Sequence, residues 1–442
     1  MKVIIFGGGI SGLTTAHILS QKGFRVELYE SEPIIGGMAR SCREKNSNIP
    51  TEHSWRGYAP FYRNFYRIAK EIPTQGGETV IDNLADHVKF FMLGDNIKKL
   101  DNLKSKLIIL YILGKAILSD KRSNKDYQKA IAPFFKKYLS PSSYNFFIKV
   151  LMGPGWGMDK DTASLGHYAK FMELSLFQSG GQKLWKVMKG PTQEMWFQPW
   201  KKNLEEKGVV FHLNSSVKYI NKINDKIYNC ILSDGTSIQG DDYVFCINPF
   251  NLEHIITQSP TLPKSLTLEH AKSNDKSDYE MIAFFLAFTE KIEFEYPLPA
   301  FIMVDGPLTI TFYPQDYFWN DDISLGNTTC GKPIKSLWSG TCITTRDNVQ
   351  LYPKKGIELS LEELKHEILH EIFSSPDISE KKNIDSLYDI LIWYEWNSQS
   401  DENSLLAPKY KKFANNIYNQ KYRLSQITPV SNMYRGGAHT QT

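Results

Sequence analysis

The chain has 442 residues, too many for one compact core and suited to two or more. Hydrophobic residues at 41% and charged residues at 23% are the balance of a globular protein, which excludes a disordered or largely membrane-spanning chain. A formal net charge of +4, from 52 basic and 48 acidic residues scattered along the chain, leaves no basic block to argue for nucleic acid.

The first predicted element is a buried parallel strand over Val3 to Phe6. Gly7, Gly9 and Gly12 follow as G-x-G-x-x-G, where strand should become helix, with Ser11 inside the turn. Gly7 permits the tight turn, Gly9 lets backbone approach a pyrophosphate, and Gly12 lets the helix lie on the sheet with its N-terminus toward the phosphates. Ala16 is small where that helix must pack closely, and Gly23 sits where it should end before a strand over Arg25 to Tyr29. Glu30 closes this strand. Its carboxylate is suited to accept from a ribose 2′-hydroxyl and would repel the 2′-phosphate of NADP.

Glu30-Ser31-Glu32-Pro33 leads into Gly36-Gly37-Met38-Ala39-Arg40-Ser41. This arrangement resembles the second glycine motif of the flavin amine oxidase and phytoene desaturase superfamily. The resemblance implies FAD as cofactor, with Gly36 and Gly37 bringing backbone to the diphosphate and Arg40 adding charge-assisted bonds. Many members of the family place Arg directly after the doublet, where Met38 stands here. His53, Trp55, Arg56 and Tyr58 resemble the family's segment that runs past the flavin ring, just before a helix carrying Phe61, Phe65 and Ile68.

From about Asp82 to Leu176 the sequence reads as lysine-rich helical segments. Leu107 to Leu118 is apolar on nearly every face, as in a helix covered by neighbours or one dipping into a membrane surface. The lack of one long amphipathic face favours the covered helix. The run is too short to span a bilayer, which takes about 20 apolar residues. Next, Pro191 opens and Gly208 closes a helix with Trp196, Trp200 and Leu204 on one face, which Pro199 should kink or divide. Strands are predicted over Val209 to Leu213, Val217 to Ile220 and Tyr243 to Ile247, with a turn at Asp234-Gly235. In the family a valine at the Val217 position meets the adenine through its backbone.

Tyr279 to Phe288, Ala300 to Val304, Leu308 to Tyr313 and Ile334 to Thr344 read as a second, mixed sheet, and Ser360 to Phe373 as an amphipathic helix opened by Ser360 and Glu362. Asn432 to Thr440, containing Gly436-Gly437-Ala438-His439, resembles the family's last strand, which ordinarily continues into a helix over the flavin. The sequence ends at Thr442, so the resemblance leads to an expectation of weak flavin binding.

The expected fold is α/β. A discontinuous Rossmann-like FAD-binding domain comprises residues 1–75, 188–255 and 428–442, with a helical insertion over 76–187 and a mixed-sheet substrate domain over 256–427. With a strand predicted so close to Met1 no leader is expected, and the expected location is the cytoplasm. Five widely spaced cysteines fit neither a disulfide framework nor a metal pair, and the ten histidines form no metal-ligand pattern. The expected chemistry is an FAD-dependent oxidoreductase whose flavin accepts a hydride from a C–N or C–C bond of an apolar or amine substrate, with no catalytic side chain assigned. Two alternatives stand beside it: a non-redox flavoenzyme resembling UDP-galactopyranose mutase, and a nucleotide-binding protein without catalysis. The partner is a small-molecule substrate; peripheral membrane contact stays open, as does the oligomeric state.

Overall fold

The computed structural model describes the chain apart from residues 53–55, 86–88, 95–102, 119–126, 149–159, 178–184, 267–280, 296–298, 344–346, 393–416, 419–422, 439 and 441–442. Its first sheet is wholly parallel and has five strands: Lys2–Phe6 (β1), Arg25–Tyr29 (β2), Val210–His212 (β3), Asp242–Phe245 (β4) and Met433–Arg435 (β5). They lie in the order β5-β4-β1-β2-β3, with β1 pairing β4 on one side and β2 on the other. Three stretches far apart in the chain thus share one sheet.

Both faces of β1 are covered, which explains its unbroken apolar run. Val3 and Ile5 pack with Leu13 and Ala16 of the helix Ile10–Gln21 (α1) and with Trp196, Trp200 and Leu204. Ile4 and Phe6 point the other way, toward Tyr243, Phe245, Ile220 and Leu252. Gly23, at φ +80°, turns the chain from α1 into β2. Pro199 divides its helix as expected: a π-helical turn over Gln193–Phe197 gives way to an α-helix over Gln198–Glu206, and the Trp196 and Trp200 rings stack at 5.7 Å.

The second sheet is mixed, with strands in the order Leu387–Ile392, Met281–Phe288, Ser336–Ile343, Thr311–Pro314, Pro299–Met303 and Lys89–Leu93. Lys89–Leu93 corrects the helical reading of that stretch, because it joins Pro299–Met303 as the sheet's parallel edge. The helix Leu361–Phe373 covers one face through Leu364, Ile368 and Ile372. Its capping box pairs Ser360 with Glu363, one residue beyond the Glu362 read as its opening acid.

Helices Leu103–Leu118, Ile131–Lys136, Pro141–Phe146 and Leu165–Phe177 gather around Ile109, Ile131, Phe135, Phe147 and Tyr168. The first of them is not covered as expected. Ile109 is buried, but Leu103, Leu107, Leu110 and Tyr111 are 71%, 56%, 68% and 68% exposed.

Asp316 sits in the turn after Thr311–Pro314, half-buried, with Oδ1 accepting from Leu337 N and Ser336 Oγ at 3.0 and 2.9 Å. Its Oδ2 has no hydrogen-bond partner among the described residues, and burial pushes the carboxyl up to about 6. The folded state therefore holds the proton more tightly than the unfolded chain, so stability present below about pH 4 is lost as pH rises to about 6. Asp316→Asn should match the wild type at pH 4 and exceed it by about 2 kcal/mol at pH 8, read from urea unfolding at the two pH values. An equal difference at both would contradict the protonated state.

Candidate dinucleotide-binding site

The site forms where β1 ends. Gly7, at φ +105°, donates its N–H to the Tyr29 carbonyl at 2.8 Å, and a Cβ there would stand 2.5 Å from the Cys246 carbonyl oxygen. A Cβ on Gly12 would run into the carbonyl oxygen of Gly7 itself. Gly9 begins α1 without any side-chain cap, so the first N–H groups of the helix keep their hydrogen-bonding capacity and the positive end of its dipole. Ser11 lies partly buried in that first turn, its carbonyl accepting from Thr15 Oγ1 at 2.8 Å.

The second glycine motif is fastened directly onto the first. Gly36 N–H donates to the Gly8 carbonyl at 2.8 Å, and Gly9 and Gly36 form a parallel bridge. Gly36 and Gly37 both have positive φ, and a Cβ on Gly37 would lie 3.0 Å from the α-carbon of Gly9. Conversely, a Cβ on Gly9 would meet nothing but the α-carbon of Gly37, at 3.7 Å. Bare backbone from two loops thus lines one small cradle beside an uncapped helix N-terminus. This fits an extended diphosphate, which needs close backbone approach and N–H donors.

Glu30 is buried beside the cradle. One carboxylate oxygen accepts from Gly8 N–H at 2.6 Å; the other accepts from Glu32 N–H at 2.9 Å and Ser31 Oγ at 3.0 Å. A carboxylate offers about four lone-pair sites, so these bonds leave room for a ribose hydroxyl. The chain leaving β3 returns to the same place: Ser215 N–H donates to the Glu30 carbonyl at 2.8 Å and Asn214 N–H to that of Glu32 at 3.2 Å. Val217 begins the next strand two residues on, half-buried.

Arg40 is buried rather than a solvated surface residue, with its guanidinium 3.6 Å from Glu32 and 3.5 Å from the Gly37 carbonyl. Arg56 straps the same segment from the other side, donating to the Met38 and Ala39 carbonyls at 2.6 and 3.1 Å. His53 and Trp55, expected near the flavin ring, lie outside the described residues, as does His439. Gly436, which follows β5, donates its N–H to the Phe245 carbonyl at 2.9 Å, so the last strand does return to the cradle's sheet.

Sequence reading named Arg56 and Tyr58 but missed the buried polar cluster that they join, continuous with this cradle. Ser41 pairs across a short two-stranded ribbon with Glu52, and its hydroxyl accepts from Gln193 N–H at 2.7 Å. Glu52 accepts from Thr192 N–H and Oγ1 at 2.9 and 2.8 Å and stands 4.0 Å from Arg56. Burial pushes the Glu52 carboxyl upward, against the opposing pull of Arg56 and Thr192. Tyr58 and Tyr313, both buried nearby, have phenols raised well above the tyrosine range by burial foremost, with Glu52 adding to it. Gln193 Oε1, buried in the same cluster, lacks a hydrogen-bond partner among the described residues. The available sequence signal was the alternation of polar and aromatic residues over Glu52, Arg56 and Tyr58.

Sheet order, glycine turn and second doublet are those of a Rossmann-like dinucleotide-binding domain, and the chain shares its fold with solved oxidases. Residues 5–72 match the sequence model of an NAD(P)-binding Rossmann-like domain. The chain is 36% identical over 66 residues to a carotenoid phi-ring synthase of Streptomyces griseus, a match spanning 15% of this chain and 13% of that protein. It is 23% identical over 297 residues to a zeta-carotene desaturase of Synechocystis sp., spanning 59% of this chain and 60% of the desaturase. The matched part is therefore less than two thirds of each relative's length. Among solved structures, putrescine oxidase bound to putrescine superposes with a TM-score of 0.64 at 12% identity, covering 99% of this chain and 93% of the oxidase. The sequence relatives are carotenoid-modifying enzymes and an amino-acid oxidase, and the structural neighbours include oxidoreductases.

Proposed function

We propose that the protein is an FAD-dependent oxidoreductase of the amine oxidase and carotenoid desaturase type. The observation that carries the reading is the close approach of the Gly9 and Gly37 backbones, which extends the phosphate cradle beyond the single turn that a Rossmann unit needs. In this reading Gly7, Gly9, Ser11 and Gly12 face the diphosphate from α1, Gly36 and Gly37 close over it, and Arg40 supplies charge. Glu30 holds the adenosine ribose and Val217 borders the adenine. Residues 1–75, 188–255 and 428–442 form the cofactor domain and 256–427 the substrate domain, with 76–187 an insertion that lends its strand Lys89–Leu93 to the substrate-domain sheet.

Bound flavin would supply the hydride acceptor for a C–C or C–N bond of an apolar or amine substrate. The chain's own part is to bind, orient and exclude water. Tyr58 and Tyr313 would form a wall whose phenols keep their protons near neutral pH, because burial disfavours the charged form, and burial shifts the Glu52 carboxyl beside them in the same direction.

Fluorescence titration of the purified protein with FAD and with NADP tests the assignment. FAD should bind more tightly, and Glu30→Ala should weaken it by about tenfold or more through the lost ribose contact and the unpaired Gly8 amide. Tighter binding of NADP than of FAD by the wild type would sink the reading.

A further inference from the structure

A continuous exposed apolar surface lies on the helix Leu103–Leu118. Taken around the helix at about 3.6 residues per turn, its exposed side chains follow in the order Lys106, Leu110, Leu103, Leu107, Tyr111, Lys104. The apolar side chains form a continuous stripe about two turns long with a lysine on each margin. The opposite side of the helix carries the buried Ser105 and Ile109, and Ile109 is anchored in the helical core with Phe135 and Tyr168. The helix is thus held from behind while its outer face is left to solvent. Phe177, at the end of the neighbouring helix Leu165–Phe177, is likewise exposed.

We infer that this face docks on an anionic lipid bilayer, with Leu103, Leu107, Leu110 and Tyr111 entering the headgroup and acyl boundary and Lys104 and Lys106 meeting the lipid phosphates. Two arguments favour a membrane over a second copy of the chain. A two-fold contact would place the same patch on both sides and bring lysines toward lysines, whereas anionic headgroups complement both rims. The stretch 95–126 as a whole also has a basic excess, with Lys98, Lys99, Lys104, Lys106, Lys115, Lys121, Arg122 and Lys125 against Asp95, Asp101, Asp120 and Asp126. No helix among the described residues is long and apolar enough to cross a membrane, so the helix lies along the surface.

Co-sedimentation with phosphatidylcholine vesicles, with and without an equal part of phosphatidylglycerol, tests this on the full chain. The wild type should partition onto the anionic vesicles about tenfold better than onto the neutral ones, and high salt should erase the difference. Leu107→Glu combined with Leu110→Glu should reduce binding to anionic vesicles by about tenfold or more, because it places charge in the apolar stripe. Lys104→Glu combined with Lys106→Glu should remove the preference for phosphatidylglycerol. Ile223→Glu, on an exposed hairpin elsewhere, should bind as the wild type does. Circular dichroism of each variant identifies loss of fold; should the leucine variant fail to fold, the lysine variant decides. The inference is overturned if the wild type stays in the supernatant with both vesicles, or if the folded variants bind as it does. A dimer that the leucine variant dissolves, without vesicle binding, would overturn it in favour of self-association.

Discussion

Gly12→Ala is expected to cost about 3 kcal/mol of stability or more and to abolish detectable FAD binding. The added methyl would overlap the carbonyl oxygen of Gly7, a backbone atom with no rotamer to retreat into. Gly7 cannot yield, since its N–H is fixed on Tyr29 and the space behind it is filled by the Cys246 carbonyl. Relief must come from lifting α1 off the sheet, which disturbs the packing of Leu13 and Ala16 against Val3 and Ile5. The same movement pulls the helix N-terminus out of the cradle. Gly23→Ala is the control: it lies at φ +80° with nothing within 4 Å of a new Cβ, so only the backbone penalty of about 1 kcal/mol applies. Urea midpoints and FAD titrations of both variants decide the matter. Equal stability for Gly12→Ala and Gly23→Ala would refute the steric account.

The second large effect is expected at Glu52. Glu52→Ala strands the Thr192 amide and hydroxyl in a buried site and removes the carboxyl beside Arg56, a loss of about 3 kcal/mol. Glu52→Gln keeps an acceptor for Thr192 but carries no titrating proton. Because burial raises the Glu52 carboxyl, the folded state binds its proton more tightly than the unfolded chain does. Wild-type stability is then fully present below the ordinary glutamate range and is lost as pH rises through the raised folded value. Glu52→Gln should therefore gain on the wild type as pH increases, in paired unfolding curves from acid to neutral pH. A glutamine variant that falls further behind with rising pH would show instead an ionised Glu52 paired with Arg56.

Sequence resolved those parts of the fold that local physics dictates. The run from Val3 to Phe6, the glycines after it and the glycine that ends α1 need only near neighbours for their explanation, and the structure places them in a βαβ unit. Elements whose identity depends on distant partners were read less well. Lys89–Leu93 is a short apolar run that cannot be told from a buried helix until Pro299–Met303 lies beside it. The hairpin at Asn224-Asp225 escaped notice, although Asn224 has the positive φ that asparagine tolerates. Helix 103–118 has apolar residues on almost every side, so the sequence could not tell which face would be covered. At the candidate site the glycines, Glu30 and Arg40 were individually visible. Glu52, Thr192 and Tyr313 were not, because three separate stretches of chain must fold before they share one environment.

The discontinuity of the first sheet bears on how the protein acquires its site. β1, α1 and β2 are contiguous, so half of the phosphate cradle can form from local contacts as the ribosome releases the early chain. β4 must then close on β1 across more than two hundred intervening residues, as in the pairing of Ile4 with Tyr243, and β5 closes on β4 later still. Each closure spends loop entropy before its contacts are made. The early half consequently waits with the apolar edge of β1 unpaired, a state prone to wrong strand pairing. A dinucleotide that engages only the completed cradle would draw this slow assembly forward by mass action, making cofactor supply during synthesis a determinant of folding yield.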